Sequence, residues 1–339
     1  MRNKLIFILV GAVLLVGVAA GGGWLLQYNA FVKTPLAIPA DGATLLVPPG
    51  AGVTAVARQL HDEGMLSDMR MFRLMVRLHG KGGQLKAGEY YITPGTTPGQ
   101  LLQQMVEGRV RQYTMTLIEG WNFRQVMRAL EENPHLGHTL SGMSDNEIMT
   151  AIGQHGVHPE GRFLPDTYHF PRGLSDVEFL RRAFRAMAER LAQEWEQRAP
   201  NLPLKSPDEA LILASIVEKE TGQASERPLI AGVFTRRLEL GMRLQTDPTV
   251  IYGIGEGFDG NLRRRDLEAE GAYNTYRIKG LPPTPIAMPG QSALHAAVHP
   301  APGKELYFVA RGDGSHYFSA TYEEHEHAVK QYQLKRRNK

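Results

Sequence analysis

The segment DEALILASIVEKET, residues 208–221, is the most informative stretch of the chain. It begins within a helix-start signal, Ser206-Pro207-Asp208-Glu209, which has proline at the first helical position and glutamate at the third. Projected onto a helix, its aliphatic side chains form a wide face, and Glu220 falls inside that face. Glu218 falls between a leucine and an alanine. Neither carboxylate therefore lies where a purely solubilising glutamate is expected.

Burial would make either glutamate chemically useful. A partly buried carboxyl group has a raised pKa and can hold a proton near neutral pH, as a general acid must. The projection separates Glu218 and Glu220 by about 160°, so they cannot face each other as a catalytic pair. Periodicity leaves open whether one of them is an acid or whether both brace neighbouring loops. Ser215 and Lys219 are predicted on the exposed side, and Ser215 lacks the GxSxG context of a serine hydrolase.

Further helices are predicted on both sides of this segment. Ser175-Asp-Val-Glu178 is a capping box that precedes a long apolar stripe. Another helix is predicted to follow Ser225-Glu226 and to end at Gly241. Beyond it the chain is rich in turns, with short strands near 306–309 and 316–318. We expect a mixed α+β catalytic domain over residues 111–339.

A strand–turn–helix pattern occurs three times upstream, around Gly50, Gly95 and Gly120. Each glycine follows an apolar residue that ends a strand and precedes apolar residues at helical spacing. The first two patterns, with a strand between them, predict a small α+β subdomain over residues 44–110. A unit of this size with short strands and two helices resembles the LysM-like modules of cell-wall proteins.

The N-terminus contains an uncharged run over residues 5–26. As a helix it would be about 33 Å long, enough for a hydrocarbon core of roughly 30 Å. Basic residues precede it, so the positive-inside rule predicts a cytoplasmic tail, residues 1–4, and an external remainder. A signal peptide cleaved near Ala20 is the alternative, but the apolar run resumes at 24–26, which favours an uncleaved transmembrane helix. Residues 27–43 are predicted to be a linker.

Composition excludes several classes of site. The chain has no cysteine, which excludes disulfides, thiolate metal sites and a cysteine nucleophile. Its 38 basic and 35 acidic residues leave a net charge of +3, which gives no reason to expect a nucleic-acid partner. His325 and His327 do not share a helix face, and His299 and His316 are interpreted as turn or core residues. We therefore predict neither a metal nor a cofactor.

Several long motifs follow one another along the second half of the chain. They are EGRFLPDTYHF (160–170), ASIVEKET (214–221), GMRLQTDPTVIYG (241–253), AYNTY (272–276), GLPPTPIAMPG (280–290), AAVHP (296–300) and LYFVARGDGSHYFS (306–319). With the N-terminal run and the LysM-like part, they resemble the endolytic murein transglycosylases, the MltG or YceG-like family. Arg162 departs from the pattern, which more often has an aromatic residue there. The resemblance implies a lyase that cleaves the β-1,4 bond between N-acetylmuramic acid and N-acetylglucosamine within peptidoglycan strands and leaves a 1,6-anhydro sugar.

The same resemblance implies roles for individual residues. Glu218, the first glutamate of IVEKE, would be the catalytic acid, with Glu220 and Ser215 in support. The substrate-binding residues would be Gln245, Thr246, Asp247, Tyr252, Asn274 and Tyr276. One carboxyl group suffices for this reaction, because the muramoyl 6-hydroxyl replaces water as the nucleophile.

The implied partners are peptidoglycan glycan strands, the inner membrane and the penicillin-binding peptidoglycan synthases, beside which the enzyme would end nascent strands. The implied location is the bacterial inner membrane, single-pass, with a cytoplasmic N-terminus and a periplasmic catalytic domain. Two alternatives stay open. A water-using muramidase would leave a reducing end, and a non-catalytic cell-wall binding protein would not need Glu218.

Overall fold

The computed structural model describes residues 2–334, which fold as a mixture of helices and short strands, as the α+β prediction requires. The chain divides into two compact units. The first comprises the chain up to Tyr113 together with His169–Arg172, and the second comprises Thr114–Tyr168 and the chain from Gly173 onward. The boundary expected between residues 110 and 111 stays a prediction.

The elements follow one another in this order. The helices are α1 (Arg2–Lys33), α2 (Val53–Asp62), α3 (Met69–Leu78), α4 (Pro98–Glu107), α5 (Phe123–Glu131), α6 (Asp145–Ala151), α7 (Asp176–Glu196), α8 (Pro207–Glu220), α9 (Arg227–Glu239), α10 (Asp247–Ile254), α11 (Arg264–Glu268), α12 (Gln291–Val298) and α13 (Tyr322–Val329). The strands are β1 (Ala43–Val47), β2 (Gly88–Ile92), β3 (Gln112–Thr116), β4 (Thr167–Pro171), β5 (Tyr307–Ala310) and β6 (His316–Ser319). They pair as β1–β2, β3–β4 and β5–β6.

The first unit is built on the antiparallel pair β1–β2, with Ala43 opposite Ile92 and Val47 opposite Gly88. Apolar faces of α2, α3 and α4 form one core with the inward side chains of these strands. Helix α3 was not predicted from the sequence. Its start is fixed by Asp68, whose carboxylate accepts the N–H groups of the second and third helical residues at 2.8 and 3.1 Å.

The three predicted turns are confirmed. Gly50, Gly95 and Gly120 have φ values of 78°, 85° and 78°, which favour glycine because other residues would place a Cβ against the backbone. Helices α2, α4 and α5 begin three residues after them, as the apolar spacing predicts.

Helix α1 extends beyond the predicted transmembrane segment. Residues 27–33, assigned to the linker, are helical, because the first helix-breaking residue after them is Pro35. The side chains of residues 5–10, 12 and 13, within the predicted span, lie outside those that the structure describes, as does Met1 of the predicted tail. Within the described part of the chain, no helix has the length and apolar character needed to cross a bilayer.

The second unit is built around α8. Every residue from Ala210 to Val217 is buried, because α7, α9, α10 and α12 all pack against this helix. The predicted start is confirmed, since the Ser206 hydroxyl accepts the Glu209 N–H at 3.2 Å. The helix ends at Glu220, and Thr221 is already extended. Strands β5 and β6 form an antiparallel pair with Tyr307 opposite Ser319.

Ser215 does not lie on an exposed face, as the helical projection predicted. It is fully buried, its hydroxyl donates to the Ile212 carbonyl at 2.7 Å, and its oxygen accepts the Ile286 N–H at 3.0 Å. The irregular segment 280–290 covers this side of α8, which a projection of α8 alone cannot show. Ser215 therefore holds that segment, whereas Lys219 is exposed as predicted.

Candidate active site

Glu218 lies in the last turn of α8, and its side chain is only 5% exposed. Its Oε1 accepts a hydrogen bond from Nη2 of Arg227, on α9, at 2.8 Å. Its Oε2 accepts the backbone N–H of Gly290, just before α12, at 2.9 Å. Two other elements therefore fix both oxygens of this carboxyl group.

Burial raises the pKa of Glu218 above its ordinary value, and the neighbouring charge of Glu119 raises it further. The Gly290 N–H and the Arg227 guanidinium act in the opposite direction, because they stabilise the carboxylate. Burial prevails, so Glu218 holds a proton at a higher pH than a free glutamate. The same two donors stabilise the anion that forms when the proton leaves.

A second carboxylate, Glu119, contacts the same guanidinium. Its Oε2 lies 3.4 Å from Nη2 of Arg227, and its side chain is about half exposed. A Cβ at position 290 would displace the Glu119 carboxylate, so this carboxylate lies directly against the backbone beside Glu218. Glu119 therefore marks where the Glu218 site borders the surface.

Sequence reasoning did not single out Glu119, although a signal existed. Among the three predicted strand–turn–helix patterns, the turns before Gly50 and Gly95 carry proline, and the turn before Gly120 carries a carboxylate. The same kind of turn occurs twice elsewhere without a charged residue, so the carboxylate in this turn indicates a local function.

Arg227 joins three elements at the site. Its side chain is 9% exposed, and Nη1 donates to the hydroxyl of Ser292, on α12, in addition to the contacts of Nη2 with the two glutamates. Its buried Nε has no hydrogen-bond partner in the described structure. A fixed cation of this kind can orient Glu218 and balance its negative charge.

Glu220 has different surroundings. Its Oε1 accepts a hydrogen bond from the hydroxyl of Thr246, and burial raises its pKa to about 7. Together with three of the predicted substrate-binding residues, Gln245, Asp247 and Tyr276, it lines an open cleft of about 480 Å³. The Tyr276 hydroxyl donates to Asp247 at 2.6 Å. The cleft offers carboxylate, amide and aromatic groups on one surface, a composition suited to sugars.

The other predicted substrate-binding side chains are engaged within the protein. Thr246 is buried beneath the cleft and bonded to Glu220. The Asn274 amide donates to the carbonyls of residues 266, 267 and 269 at 3.2, 3.1 and 2.6 Å. The Tyr252 hydroxyl donates to Glu160 at 3.0 Å. These contacts fix the loops around the cleft, and a role of these residues in substrate binding stays a prediction.

Glu160 is a buried carboxyl group that sequence reasoning missed, although it is the first residue of the EGRFLPDTYHF motif. It is 3% exposed, and its oxygens accept the N–H of Phe123, the first residue of α5, at 3.1 and 3.2 Å. With the bond from Tyr252, on α10, it ties two helices together. Burial raises its pKa to about 7.

We expect Glu160→Gln to make stability less dependent on pH. The folded-state pKa is about 7 against an ordinary 4.5, so the native state binds more protons than the unfolded state between these values. Stability therefore falls as pH rises through this window, by about 3 kcal/mol for this group. Urea unfolding at pH 5 and pH 8 should show a smaller decrease for the variant than for the parent protein. If stability decreases equally in the variant and the parent protein, Glu160 is ionised in the folded state at both pH values.

Comparison with known proteins places these features in a family. Residues 45–331 match the model of the YceG-like family. A protein of Bacillus subtilis (strain 168) named endolytic murein transglycosylase is 29% identical over 303 residues, which cover 84% of this chain and 83% of that protein. A protein of the same name from Streptococcus pneumoniae serotype 2 is 25% identical over 360 residues, covering 95% of this chain but 64% of that protein.

A solved structure is also similar. The crystal structure of a YceG-like protein from Listeria monocytogenes aligns with a TM-score of 0.55 and 29% identity, covering 86% of this chain and all of that one. The family match extends over both units and includes the α8 motif that carries Glu218. The chain belongs to the YceG-like family.

Proposed function

We propose that this protein is a lytic transglycosylase that cleaves the β-1,4 bond between N-acetylmuramic acid and N-acetylglucosamine within peptidoglycan strands. The observation that carries the proposal is Glu218, a nearly buried carboxyl group with a raised pKa, held by Arg227 and the Gly290 N–H. It occupies the position that the IVEKE motif assigns to the acid. The names of the relatives support the substrate class.

The reaction needs one group that both donates and accepts a proton. Protonated Glu218 gives its proton to the glycosidic oxygen, so the bond between that oxygen and C1 of the muramoyl sugar breaks. The resulting carboxylate takes the proton of the C6 hydroxyl while that oxygen bonds to C1, which forms the 1,6-anhydro ring and restores the acid. The two donors on Glu218 stabilise its carboxylate between these steps.

Glu119 is the observation that favours the alternative, a water-using muramidase. Hydrolases of glycosides normally use two carboxylates, and Glu119 is a second carboxylate beside the same guanidinium. In a muramidase it would activate water. In a lytic enzyme it has no proton to move, and its negative charge raises the pKa of Glu218.

Mass spectrometry of the products separates the two reactions. We expect the full chain, incubated with purified peptidoglycan strands, to release anhydro-muropeptides, which are lighter than hydrolysis products by one water. Glu119→Gln should keep the anhydro product, because no water is activated. If the parent protein instead releases products with reducing ends, and the Glu119→Gln variant does not, the enzyme is a muramidase.

The first unit is assigned a binding role without chemistry. Its buried carboxyl group, Glu89, accepts hydrogen bonds from Tyr113 and Arg172, and these, together with nearby Arg111, outweigh the opposing effect of burial and lower its pKa. Glu89 is therefore an ionised structural group rather than a proton donor. A LysM-like role for residues 44–110, which binds or orients glycan strands without doing chemistry, fits an ionised Glu89.

The protein is further assigned to the inner membrane, with one span, a cytoplasmic N-terminus and a periplasmic catalytic domain. The uncharged run over residues 5–26 and the basic residues Arg2 and Lys4 support this. An anchored enzyme would meet new strands beside the peptidoglycan synthases and terminate their elongation. Fractionation should recover the intact chain with membranes, and a soluble mature chain starting near Gly21 would contradict the anchor.

A further inference from the structure

Three side chains that commonly bind metals meet in the second unit. Glu194 lies near the end of α7, His295 lies on α12, and His299 caps the end of α12. Each offers one ligand atom, and these atoms lie within 4.8 Å of one another. None of the three has a part in the chemistry described above.

The two histidines are positioned by their helix. They are four residues apart, so they share a face, and their rings stack with centroids 4.2 Å apart and planes inclined by 21°. The Glu194 residue is 8% exposed, whereas the His295 side chain is 58% exposed. The cluster therefore combines a fixed carboxylate with imidazoles that solvent and ions can reach.

The imidazole nitrogens of the cluster lie close to oxygen atoms of the protein. His295 Nδ1 lies 2.9 Å from Glu194 Oε2. His299 Nε2 lies 2.8 Å from the carbonyl oxygen of Gln197, and its Nδ1 lies 3.3 Å from the carbonyl oxygen of His295. A neutral imidazole carries a single N–H and can donate to only one of these carbonyls. The nitrogen without a hydrogen keeps its lone pair, and a neutral imidazole with a lone pair is the form that binds a metal ion.

We propose that Glu194, His295 and His299 form a binding site for a divalent transition-metal ion, with zinc as the best match. Two imidazoles and a carboxylate are a donor set that zinc accepts, and three protein ligands leave a further position for water. Calcium and magnesium prefer sites made of oxygen atoms and should bind poorly. Sequence reasoning predicted no metal and interpreted His299 as a turn or core residue, because it did not consider the four-residue spacing from His295.

The site would connect α7 to the helix that organises the candidate active site. Gly290, which donates to Glu218, directly precedes α12, and Ser292, which contacts Arg227, lies in its first turn. A metal at the opposite end of α12 would fix this helix against α7. Metal binding should therefore stabilise the folded second unit without taking part in the reaction.

Titration of the metal-free full chain with Zn²⁺ alone tests the proposal. We expect one equivalent to bind, and the melting temperature to rise by roughly 5 °C or more at about 100 times the dissociation constant. His295→Ala and His299→Ala should each weaken binding by more than about tenfold. His155→Ala, at an exposed histidine outside the cluster, is the matched control and should bind as the parent protein does.

Two further measurements keep the result decisive. Co²⁺ should give a visible absorption band that His295→Ala removes, and Mg²⁺ should leave the melting temperature unchanged. Glu194→Gln should also lose the zinc response; if that variant fails to fold, the two histidine variants decide. Absence of a zinc equivalent, or unchanged zinc affinity in both histidine variants, would overturn the proposal.

Discussion

Glu218→Gln is expected to abolish cleavage of peptidoglycan strands while the protein still folds. Glutamine has nearly the same shape but cannot donate a proton to a leaving group or accept one as a base. General acid–base catalysis contributes typically about 10²–10⁴-fold, and here one group would serve both proton transfers. Product release measured by mass spectrometry should fall to background.

The same variant should lose some stability. Glutamate presents two acceptor oxygens to Arg227 and the Gly290 N–H, whereas glutamine offers one oxygen and one amino group. One donor is then left without an acceptor, at a cost of about 1–3 kcal/mol. Thermal unfolding should show a modest decrease in melting temperature, and the unfolding transition should stay cooperative.

Glu220→Gln is the matched comparison, because this residue lies on the same helix, is also partly buried and also has a raised pKa. We expect a milder loss of activity, since its oxygen is occupied by the Thr246 hydroxyl and it is predicted to support the acid rather than to act as one. Loss of activity in Glu220→Gln at unchanged stability would transfer the acid to Glu220. Near-native turnover in Glu218→Gln would remove Glu218 from the mechanism.

The helix starts around the site could be predicted from the sequence because their signals are local. The Ser206 cap of α8 and the Ser175 cap of α7 each act on an N–H group three residues away, so a short window contains both partners. The turns at Gly50, Gly95 and Gly120 are similar, since the required positive φ is a property of the glycine itself.

The contacts that make the site could not be predicted in this way. Ser215 was expected to be exposed because a helical projection contains only its own helix, and the segment that covers it lies about 70 residues further along the chain. Arg227 and Glu119 meet Glu218 through tertiary packing of α9 and the loop before α5, for which no periodicity exists. The resemblance predicted which glutamate would be the acid, but the contacts around that glutamate could be seen only in the fold.

Arg227→Leu is expected to lower activity by about 10²-fold and stability by about 3–5 kcal/mol at neutral pH. Leucine fills part of the space but leaves Glu218 without its cation, and removal of one partner of a buried ion pair leaves an uncompensated charge. The loss of activity follows from misplacement of the acid, because the contact that fixes its Oε1 is gone.

The pH dependence of this variant distinguishes its electrostatic role from simple packing. Arg227 lowers the pKa of Glu218, so its removal raises that pKa further above the ordinary 4.5. The folded variant then binds more protons than its unfolded state over a wider pH range than the parent protein does. Its free energy of unfolding therefore falls more steeply as pH rises. Below about 4.5 the glutamate is protonated in both states, so the stability difference between parent and variant should shrink there.

Arg236→Leu provides the control, because Arg236 lies on the same helix and pairs with Glu305 rather than Glu218. This variant should lose stability, but that loss should not grow with pH in the same way. The pH profile of cleavage should not shift either. Arg227→Lys should recover part of the pH profile, because the positive charge returns. It should not recover full activity, because a single ammonium cannot reproduce the guanidinium's contacts with Glu218, Glu119 and Ser292. If Arg227→Leu loses stability equally at pH 4 and pH 8, the guanidinium acts through packing alone and does not tune the acid.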